Sequence, residues 1–303
     1  NRTMKIFDCF MYFDEEIVLD LRLNTLNNYV NYFVIVESTF THRGDKRDLK
    51  FDHKKFEKFK DKIIYLTFDK EPEGIEKVYE NDNEGEKSRK YILNAAKREN
   101  GQRNYIQKGL LKASSEDLII ISDIDEIPNL ENIDFFKINK KLILFKQNMF
   151  YYKFNLGLPT LNWFGSKACQ YKNLTSISEL RNIKPKKYGW WRFDTMFKKN
   201  KFINIKIIEN GGWHFTEIKT PKEIYIKHSN DEHHDEFDQT GINEKIIENM
   251  VKNKYIPYDH SIDQKNWKKK WNKDNKIKLS LIEDLKLPKY LVENKTNYSN
   301  WFD

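Results

Sequence analysis

The sequence has few cysteines and no long hydrophobic run. Cys9 and Cys169 are the only two cysteines among 303 residues, which excludes a disulfide framework, permits at most one bridge and favours free thiols. No stretch of about 18 apolar residues occurs, so the sequence predicts no transmembrane helix, and the residues before Met4 have no signal-peptide core. These absences exclude a small disulfide-rich domain and predict no membrane-spanning helix within these residues, while a removed upstream anchor stays open.

The composition favours a folded protein with a basic surface. Hydrophobic residues make up 39% and aromatic residues 15%, which is enough to build a sizeable core although 33% of the residues are charged. The net charge of +8 favours anionic ligands such as nucleotide diphosphates, nucleic acid or membrane head groups without choosing among them. A lysine-rich solvated surface accounts for much of this excess.

The first half of the chain alternates between strand-like and helix-like segments. Apolar runs predict buried strands, amphipathic or acidic-capped segments predict helices, and such alternation indicates right-handed βαβ units in a Rossmann-like α/β sheet. The predicted strands are 4–10, 32–36, 63–67 and 118–121, and the predicted helices are 17–26, 54–60 and 86–111, the last interrupted at Gly101.

The second half is less regular. We predict a strand over 142–154, then loops marked by Gly157, Pro159 and Gly165. Helices are predicted over 242–250 and 277–285, and the polar tail from Asn294 is expected to be loosely held.

An acidic stretch follows the strand 118–121 directly. In an extended chain residues two apart project to the same side, so Asp123 and Asp125 could face one cation while Ile124 points to the core. Ligands gather at the carboxyl ends of strands in open α/β sheets, and carboxylate oxygens suit Mn²⁺ or Mg²⁺. The alternative is an acidic turn before a helix capped near Asn129.

The stretch Ser122-Asp123-Ile124-Asp125-Glu126-Ile127-Pro128 resembles the signature of glycosyltransferase family 17. Other segments resemble the same family in the same order along residues 4 to 250. They are Asp8-Cys9-Phe10, Arg22-Leu23-Asn24-Thr25-Leu26, Tyr32 to Ser38, Gln102-Arg103-Asn104, Trp163-Phe164-Gly165, Leu180-Arg181 and Gly211-Gly212-Trp213-His214-Phe215.

The resemblance implies a GT-A-type mixed sheet flanked by helices and an inverting, metal-dependent transfer from a UDP-sugar. The sugar is N-acetylglucosamine in the typical member. On this basis we expect a catalytic domain over 4–260, with a nucleotide-sugar half at 4–128 and a loop-rich acceptor half at 129–260. Residues 261–303 would form a basic, helical C-terminal extension.

Histidines and carboxylates outside the acidic stretch are further candidates. His214 follows two glycines and is predicted to contact the diphosphate or the metal, although a histidine between aromatic residues is often simply packed. His234 is a second candidate metal ligand. An inverting transfer needs a base for the acceptor hydroxyl, for which Glu236 is the first choice and Asp194 the second. For Asp231 and Glu232 we favour a solvated acidic loop.

Four other positions are assigned to the two substrates. Arg103 and Asn104 could reach the nucleotide diphosphate, because guanidinium offers bidentate donors to phosphate, or they could be an ordinary exposed helix face. Glu37 could accept hydrogen bonds from the base or ribose, or cap a loop. The segment Trp190-Trp191-Arg192 is the candidate acceptor site, since flat aromatic faces stack on sugar rings. For Trp163, closing a core beneath long loops is at least as good an interpretation.

Two other functions stay open at this stage. Asp123, Asp125, His214 and the His233-His234 pair could form a metal-dependent hydrolase. The lysines and tryptophans of 264–278 could bind nucleic acid, although a solvated helix with buried tryptophans is the favoured interpretation, so no nucleic-acid partner is expected. The expected partners are a nucleotide-sugar donor and a glycan or glycoprotein acceptor. Cytoplasm and the secretory pathway both remain possible locations.

Overall fold

A computed structural model describes residues 3–185, 204–230, 234–262 and 266–303. The described residues form two compact units. The first comprises the described parts of Asn1–Gln147 and Phe164–Gly212, and the second those of Asn148–Trp163 and Trp213–Asp303. In the described ranges, no helix is both long and apolar enough to cross a membrane.

The first unit contains most of a mixed sheet and its flanking helices. The strands are β1 Ile6–Tyr12, β2 Tyr32–Ser38, β3 Ile63–Phe68, β4 Leu118–Ile121, β5 Glu126–Pro128, β6 Leu142–Tyr151, β7 Leu156–Gln170 and β8 Ile205–Ile208, of which β6 and β7 continue into the second unit. The helices are α1 Glu16–Leu26, α2 Glu84–Tyr105 and α3 Ile177–Arg181. This arrangement confirms the predicted α/β class.

Parallel pairing brings the carboxyl ends of the central strands to one edge. The order is β3-β2-β1-β4-β7-β6, with β8 also paired to β6. Strands β1 to β4 pair in parallel, with Cys9 opposite both Val34 and Ile121, whereas β7 runs antiparallel to β4. The residues that follow Ile121 therefore emerge at the edge where ligands collect in open α/β sheets.

Apolar side chains explain why the central strands are interior. Phe7, Val34 and Ile119 have no exposed surface and belong to one core cluster, in which Cys169 and Leu180 also pack. Complete burial of such a side chain stabilises the fold by roughly 1.5–3 kcal/mol. Cys9 and Cys169 are both free and buried, as the cysteine count led us to expect.

The second unit joins the distal parts of β6 and β7 to the C-terminal third of the chain. Its elements are β9 Gly212–Thr216, α4 Pro221–Ser229, α5 His234–Thr240, α6 Glu244–Asn253, β10 Tyr255–Ile256, α7 Trp267–Lys270, β11 Ile277–Lys278, β12 Ser280–Leu281 and α8 Lys289–Glu293. Strand β9 pairs in parallel with β6, and β12 pairs antiparallel with β7. Thr220 caps α4 in a capping box with Glu223, and Asn243 caps α6.

Several expectations for the second half are wrong. Gly157, Pro159 and Gly165 lie within the 15-residue strand β7 and do not mark loops. The predicted helix 277–285 consists instead of β11, β12 and a 3₁₀ turn. In both cases pairing with a strand distant in sequence overrides local propensity.

Two expectations about helices in the first half are also wrong. Gly101 lies within α2 and does not interrupt it. A Cβ at this position would lie only 3.1 Å from the ring of Phe68, so the glycine permits the helix to pack closely against that ring. The segment 54–60 contains only a 3₁₀ turn, at Glu57–Phe59.

The C-terminal tail is also better held than expected. The amide of Phe154 donates to the carbonyl oxygen of Trp301 at 2.8 Å, and Asp303 pairs with Lys254 at 2.6 Å. Tyr298 is almost completely buried. These contacts fix the polar tail within the second unit.

Candidate active site at the acidic turn

Residues 123–126 form a tight turn, which we call the acidic turn. The amide of Glu126 donates to the carbonyl oxygen of Asp123 at 3.0 Å, and the amide of Asp123 donates to the Glu126 carboxylate at 2.7 Å. The expectation of an extended chain at Asp123 to Asp125 is therefore wrong. Its consequence survives in part, because Ile124 is buried while Asp123 and Asp125 are half-buried.

A buried arginine supports the turn from below. Arg22, on α1, binds the Asp8 carboxylate of β1 with Nε and Nη2 at 2.8 and 2.6 Å. Its Nη1 donates to the carbonyl oxygens of Asp123 and Ile124 at 3.3 and 3.1 Å, and also to that of Glu126. The arginine thereby connects the first strand of the sheet to the backbone of the acidic turn.

Glu126 lies at the centre of a buried polar network. The Glu126 side chain has no exposed surface. The backbone carbonyl oxygen of Glu126 accepts a hydrogen bond from the Ser166 hydroxyl at 3.2 Å. Gln147 donates to the same hydroxyl at 2.9 Å, and Ser122 lies 2.6 Å from it. A Cβ at Gly165 would lie 2.2 Å from Gln147 Oε1 and 2.5 Å from Glu126 Oε2, so only glycine fits.

Two arginines contact the carboxylate of Asp123. Arg181, at the end of α3, binds Asp123 through Nε at 3.3 Å and through Nη2 at 2.7 Å. Arg103, on α2, lies 3.5 Å from Asp123 and 2.7 Å from Glu99. Burial alone would lower the pKa of Arg181, but the charges of Asp123 and Glu126 raise it, so the guanidinium stays charged.

A buried lysine contacts the backbone of Arg181. The ammonium of Lys167, on β7, donates to the backbone carbonyl oxygen of Arg181. Burial and repulsion by Arg181 lower the pKa of Lys167 to about 8, against the opposing attraction of Glu126 and Asp123. Charged side chains of both signs therefore lie close together beneath the acidic turn, and each changes the electrostatic environment of the others.

The carboxylates of the turn have the chemistry that a divalent cation requires. Asp123 and Asp125 offer hard oxygen ligands, and the Asp123 side chain is 42% exposed. Among the described residues, however, no three His, Cys, Asp or Glu side chains form a cluster able to hold a metal ion. Asp123 and Asp125 lie in the first unit, whereas His214 and His234 lie in the second. In the chemistry of their oxygen donors Asp123 and Asp125 fit a divalent cation, and no set of three such ligands is present among the described residues.

Glu37 and Asn104 have clear structural partners. Glu37 has no exposed surface, and its carboxylate accepts hydrogen bonds from the amides of Lys50 and Phe51 at 2.7 to 3.2 Å. Of the two interpretations of Glu37, loop capping agrees with the structure. Asn104 accepts a hydrogen bond from the amide of Ser178 at 3.0 Å, which fixes the start of α3.

The second unit contains the other described candidates. His214, on β9, is buried, and its ring centroid lies 5.3 Å from that of Trp163. His234 and Glu236 are half-buried on α5, the first of them at its start. Asp194, His233 and the segment Trp190-Trp191-Arg192 lie outside the described residues.

An apolar cavity of about 220 Å³ in the second unit contains none of the predicted site residues. Its walls include Glu217, whose pKa is lowered by Lys227 and His228 although burial opposes this shift, and the aromatic side chains of Tyr258 and Trp271. Trp271 packs against His228 but is only half-buried, and in the described part of 264–278 only Trp267–Lys270 is α-helical, so the predicted solvated helix with buried tryptophans is not confirmed.

Sequence reasoning gave no functional role to Arg22, Glu126 or Arg181, although all three lie in segments that resemble the family. One usable signal was present, since Asp8 interrupts an apolar strand and a charge in such a strand requires a buried partner. The signal did not identify that partner, because Arg22 is 14 residues away on a helix.

The sequence matches one known protein family over more than half of its length. The family model of glycosyltransferase family 17 matches residues 1–185. The human and rat proteins named β-1,4-mannosyl-glycoprotein 4-β-N-acetylglucosaminyltransferase are each 25% identical over 226 residues, which cover 69% of this chain. The same residues cover 40% of the human protein and 39% of the rat protein, so the chain spans well under half the length of these relatives. No solved structure matches significantly.

The matched region contains the complete acidic turn and every side chain described above as contacting it. It ends at residue 185, just beyond Arg181, and covers more than half of the 303 residues. The chain therefore belongs to glycosyltransferase family 17.

Proposed function

We propose that the chain is an inverting, metal-dependent glycosyltransferase that moves N-acetylglucosamine from a UDP-sugar to a hydroxyl group of a glycan, on a GT-A-type fold. One observation carries the proposal. Residues from five separate family-like segments meet at the acidic turn: the side chains of Asp8, Arg22, Arg103 and Arg181 and the backbone carbonyl of Gly165 contact one another or residues 123–126. Such convergence is expected of a site and not of a bare acidic turn.

The turn would bind the diphosphate end of the donor. A divalent cation on Asp123 and Asp125 would supply a Lewis acid that offsets the negative charge developing on the leaving diphosphate. Arg103 lies beside Asp123 and offers charged donors to the phosphate oxygens. Arg22 orients the backbone of the turn and Glu126 fixes its shape, so that both aspartates are held before the donor arrives.

The acceptor hydroxyl must lose its proton as its oxygen attacks the anomeric carbon from the face opposite the diphosphate. The new bond to the acceptor oxygen forms while the bond to the diphosphate oxygen breaks, which inverts the configuration. Glu236 is the first candidate for the base and Asp194 the second, and Trp190, Trp191 and Arg192 are the proposed acceptor contacts. His214 and His234 remain proposed further ligands.

A binding experiment tests the role of the acidic turn. UDP affinity is measured by calorimetry with and without Mn²⁺ for the wild type, Asp125→Ala and Glu131→Ala, the last being an exposed acidic control just outside the turn. Mn²⁺ should strengthen UDP binding to the wild type and the control but not to Asp125→Ala. Equal affinities in all cases would remove the metal role.

Product analysis tests the reaction itself. UDP release is measured for a panel of UDP-sugars with Mn²⁺, in the presence and absence of a mannose-containing glycan acceptor. A transferase forms a sugar–acceptor product, whereas a hydrolase releases free sugar whichever acceptor is present. Release of free sugar alone would favour the hydrolase and contradict the proposal.

A further inference from the structure

Asp123 already has a positively charged partner supplied by the protein. Arg181 binds the two carboxylate oxygens of Asp123 with separate nitrogens, Nε to Oδ1 at 3.3 Å and Nη2 to Oδ2 at 2.7 Å. This forked geometry is the strong form of an arginine–carboxylate pair. A cation that binds Asp123 must therefore compete with the guanidinium for the same oxygens.

Arg181 has other partners that it can retain if it leaves Asp123. Its Nη2 lies 3.3 Å from Glu126 Oε2, and its Nη1 lies 3.5 Å from the carbonyl oxygen of Gly165. Lys167 binds the Arg181 carbonyl oxygen. The backbone is thus fixed and the charge stays compensated, while the end of the side chain has alternative acceptors within reach.

The local charges disfavour a divalent cation that arrives alone. The Arg181 side chain is only 13% exposed, so its charge is poorly screened and would repel a cation on Asp123. Arg103 adds a second guanidinium 3.5 Å from the same carboxylate. A diphosphate brings negative charge to this point and removes the conflict, since it accepts hydrogen bonds from guanidinium in the same forked manner.

We propose that Arg181 is an exchangeable counter-ion of the acidic turn. In the free protein it neutralises Asp123, and when a divalent cation and a nucleoside diphosphate bind together it leaves Asp123 and donates to the diphosphate oxygens. This inference rests on the proposed function and adds a direction to it: Arg181 weakens the binding of the cation alone and strengthens the binding of the diphosphate. Cation and diphosphate therefore bind cooperatively.

The test measures two affinities that should move in opposite directions. Mn²⁺ binding without nucleotide is followed by electron paramagnetic resonance, and UDP binding at saturating Mn²⁺ by calorimetry, for the wild type and Arg181→Gln. Loss of a charged, forked contact corresponds to roughly tenfold in affinity. Arg181→Gln should bind Mn²⁺ about tenfold more tightly and UDP about tenfold more weakly.

Two further variants separate this role from a structural one. Arg181→Lys keeps the charge but loses the fork, so it should lie between the wild type and Arg181→Gln in both measurements. Arg98→Gln is the matched control, because Arg98 is a mostly buried arginine on α2 that pairs with Glu71 at 2.9 Å. Both its affinities should equal those of the wild type. Thermal unfolding of each variant confirms that it is folded.

The outcomes distinguish the two proposals. If Arg181→Gln and the wild type bind Mn²⁺ equally, or if Arg181→Gln loses affinity for both ligands, the exchange is wrong while the proposed function stands. If Mn²⁺ binds to no variant with or without UDP, the metal role in the proposed function is wrong and the exchange is wrong with it.

Discussion

Arg22 and Asp8 form an ion pair from which solvent is excluded. Both side chains are 0% exposed, and the two hydrogen bonds between them measure 2.8 and 2.6 Å. Because the third nitrogen of Arg22 binds backbone carbonyl oxygens of the acidic turn, this pair serves both the stability of the fold and the shape of the site. The two roles can be separated experimentally.

Removal of either partner should be strongly destabilising. Asp8→Asn or Arg22→Met leaves a buried group without its counter-charge, which typically costs about 3–5 kcal/mol in the free energy of unfolding. The double variant Asp8→Asn/Arg22→Met should lose less than the sum of the two single losses, as measured by urea unfolding. It should still lose the Mn²⁺-dependent increase in UDP affinity, because the contacts to the turn are gone.

The control for this cycle is the exposed pair of Lys55 and Glu16, whose side chains are 44% and 41% exposed. Glu16→Gln should change the free energy of unfolding by no more than about 1 kcal/mol. Additive losses for the Asp8 and Arg22 variants would show that the two side chains act independently.

Gly165→Ala should disturb the site without touching a charged group. The new methyl group would lie 2.2 Å from Gln147 Oε1 and 2.5 Å from Glu126 Oε2, both on fully buried side chains, so these must shift. Overpacking of this kind typically destabilises a protein by about 1–3 kcal/mol, and the displaced Glu126 should also weaken Mn²⁺-dependent UDP binding. Thermal unfolding and calorimetry check the two effects.

Gly85→Ala is a suitable comparison for that substitution. Gly85 lies in the first turn of α2, and a Cβ there meets only the Asn83 side chain at 3.3 Å. Its UDP binding should match that of the wild type. Wild-type stability and binding in Gly165→Ala would show that the network around Glu126 adjusts at no cost.

The two candidate bases are distinguished by which variant shows a lower kcat. Removal of the base should lower kcat by about 10²–10⁴ without weakening UDP binding, because the base acts on the acceptor. Glu236→Gln should show this effect if Glu236 is the base, and Asp194→Asn should show it otherwise. Asp238→Asn, an exposed carboxylate on the same helix as Glu236, is the control. Full activity in both candidate variants would contradict both assignments.

His260 predicts a pH dependence of stability. Its pKa is lowered to about 4 by burial and by the charges of Lys270 and His214, with Asp259 opposing. The unfolded chain takes up this proton near pH 6.5, so the contribution of His260 is complete above that pH and is lost as pH falls towards 4. The Tyr151 hydroxyl lies 2.6 Å from His260 Nε2. A neutral imidazole can accept a hydrogen bond from this hydroxyl, whereas a protonated one cannot.

The measurement is the free energy of unfolding between pH 7 and pH 4 for the wild type and His260→Gln. Glutamine does not titrate, so the stability of the wild type relative to the variant should decrease as the pH is lowered. A difference that is constant across this range would show that His260 has its ordinary pKa.

Strands with continuous apolar runs were predictable because burial on both faces leaves a clear signature. The runs at 32–36 and 118–121 correspond to β2 and β4, and the acidic residues after β4 were placed at the correct edge of the sheet. By contrast, β7 contains Gly157, Pro159 and Gly165 and is determined by partners far away in sequence. Local propensity contains no information about such partners.

The site was predictable as a set of residues but not as a geometry. Asp123 and Asp125 were identified as a pair, yet the turn that presents them depends on Glu126 and on Arg22, about 100 residues earlier. The pairing of Asp123 with Arg181 depends on where α3 ends relative to β4, which spacing along the chain does not reveal.

The division of β6 and β7 between the two units constrains how the protein can be dissected. The polypeptide passes from one unit to the other after residues 147, 163 and 212, so the first unit is not one continuous piece of sequence. A fragment ending at residue 185, where the family match ends, contains all the described contacts of the acidic turn but lacks β8, which pairs with β6. During synthesis the first unit is complete only after residue 212 has been made. Truncation is therefore a poor way to isolate the site, and point substitution in the full chain is the appropriate one.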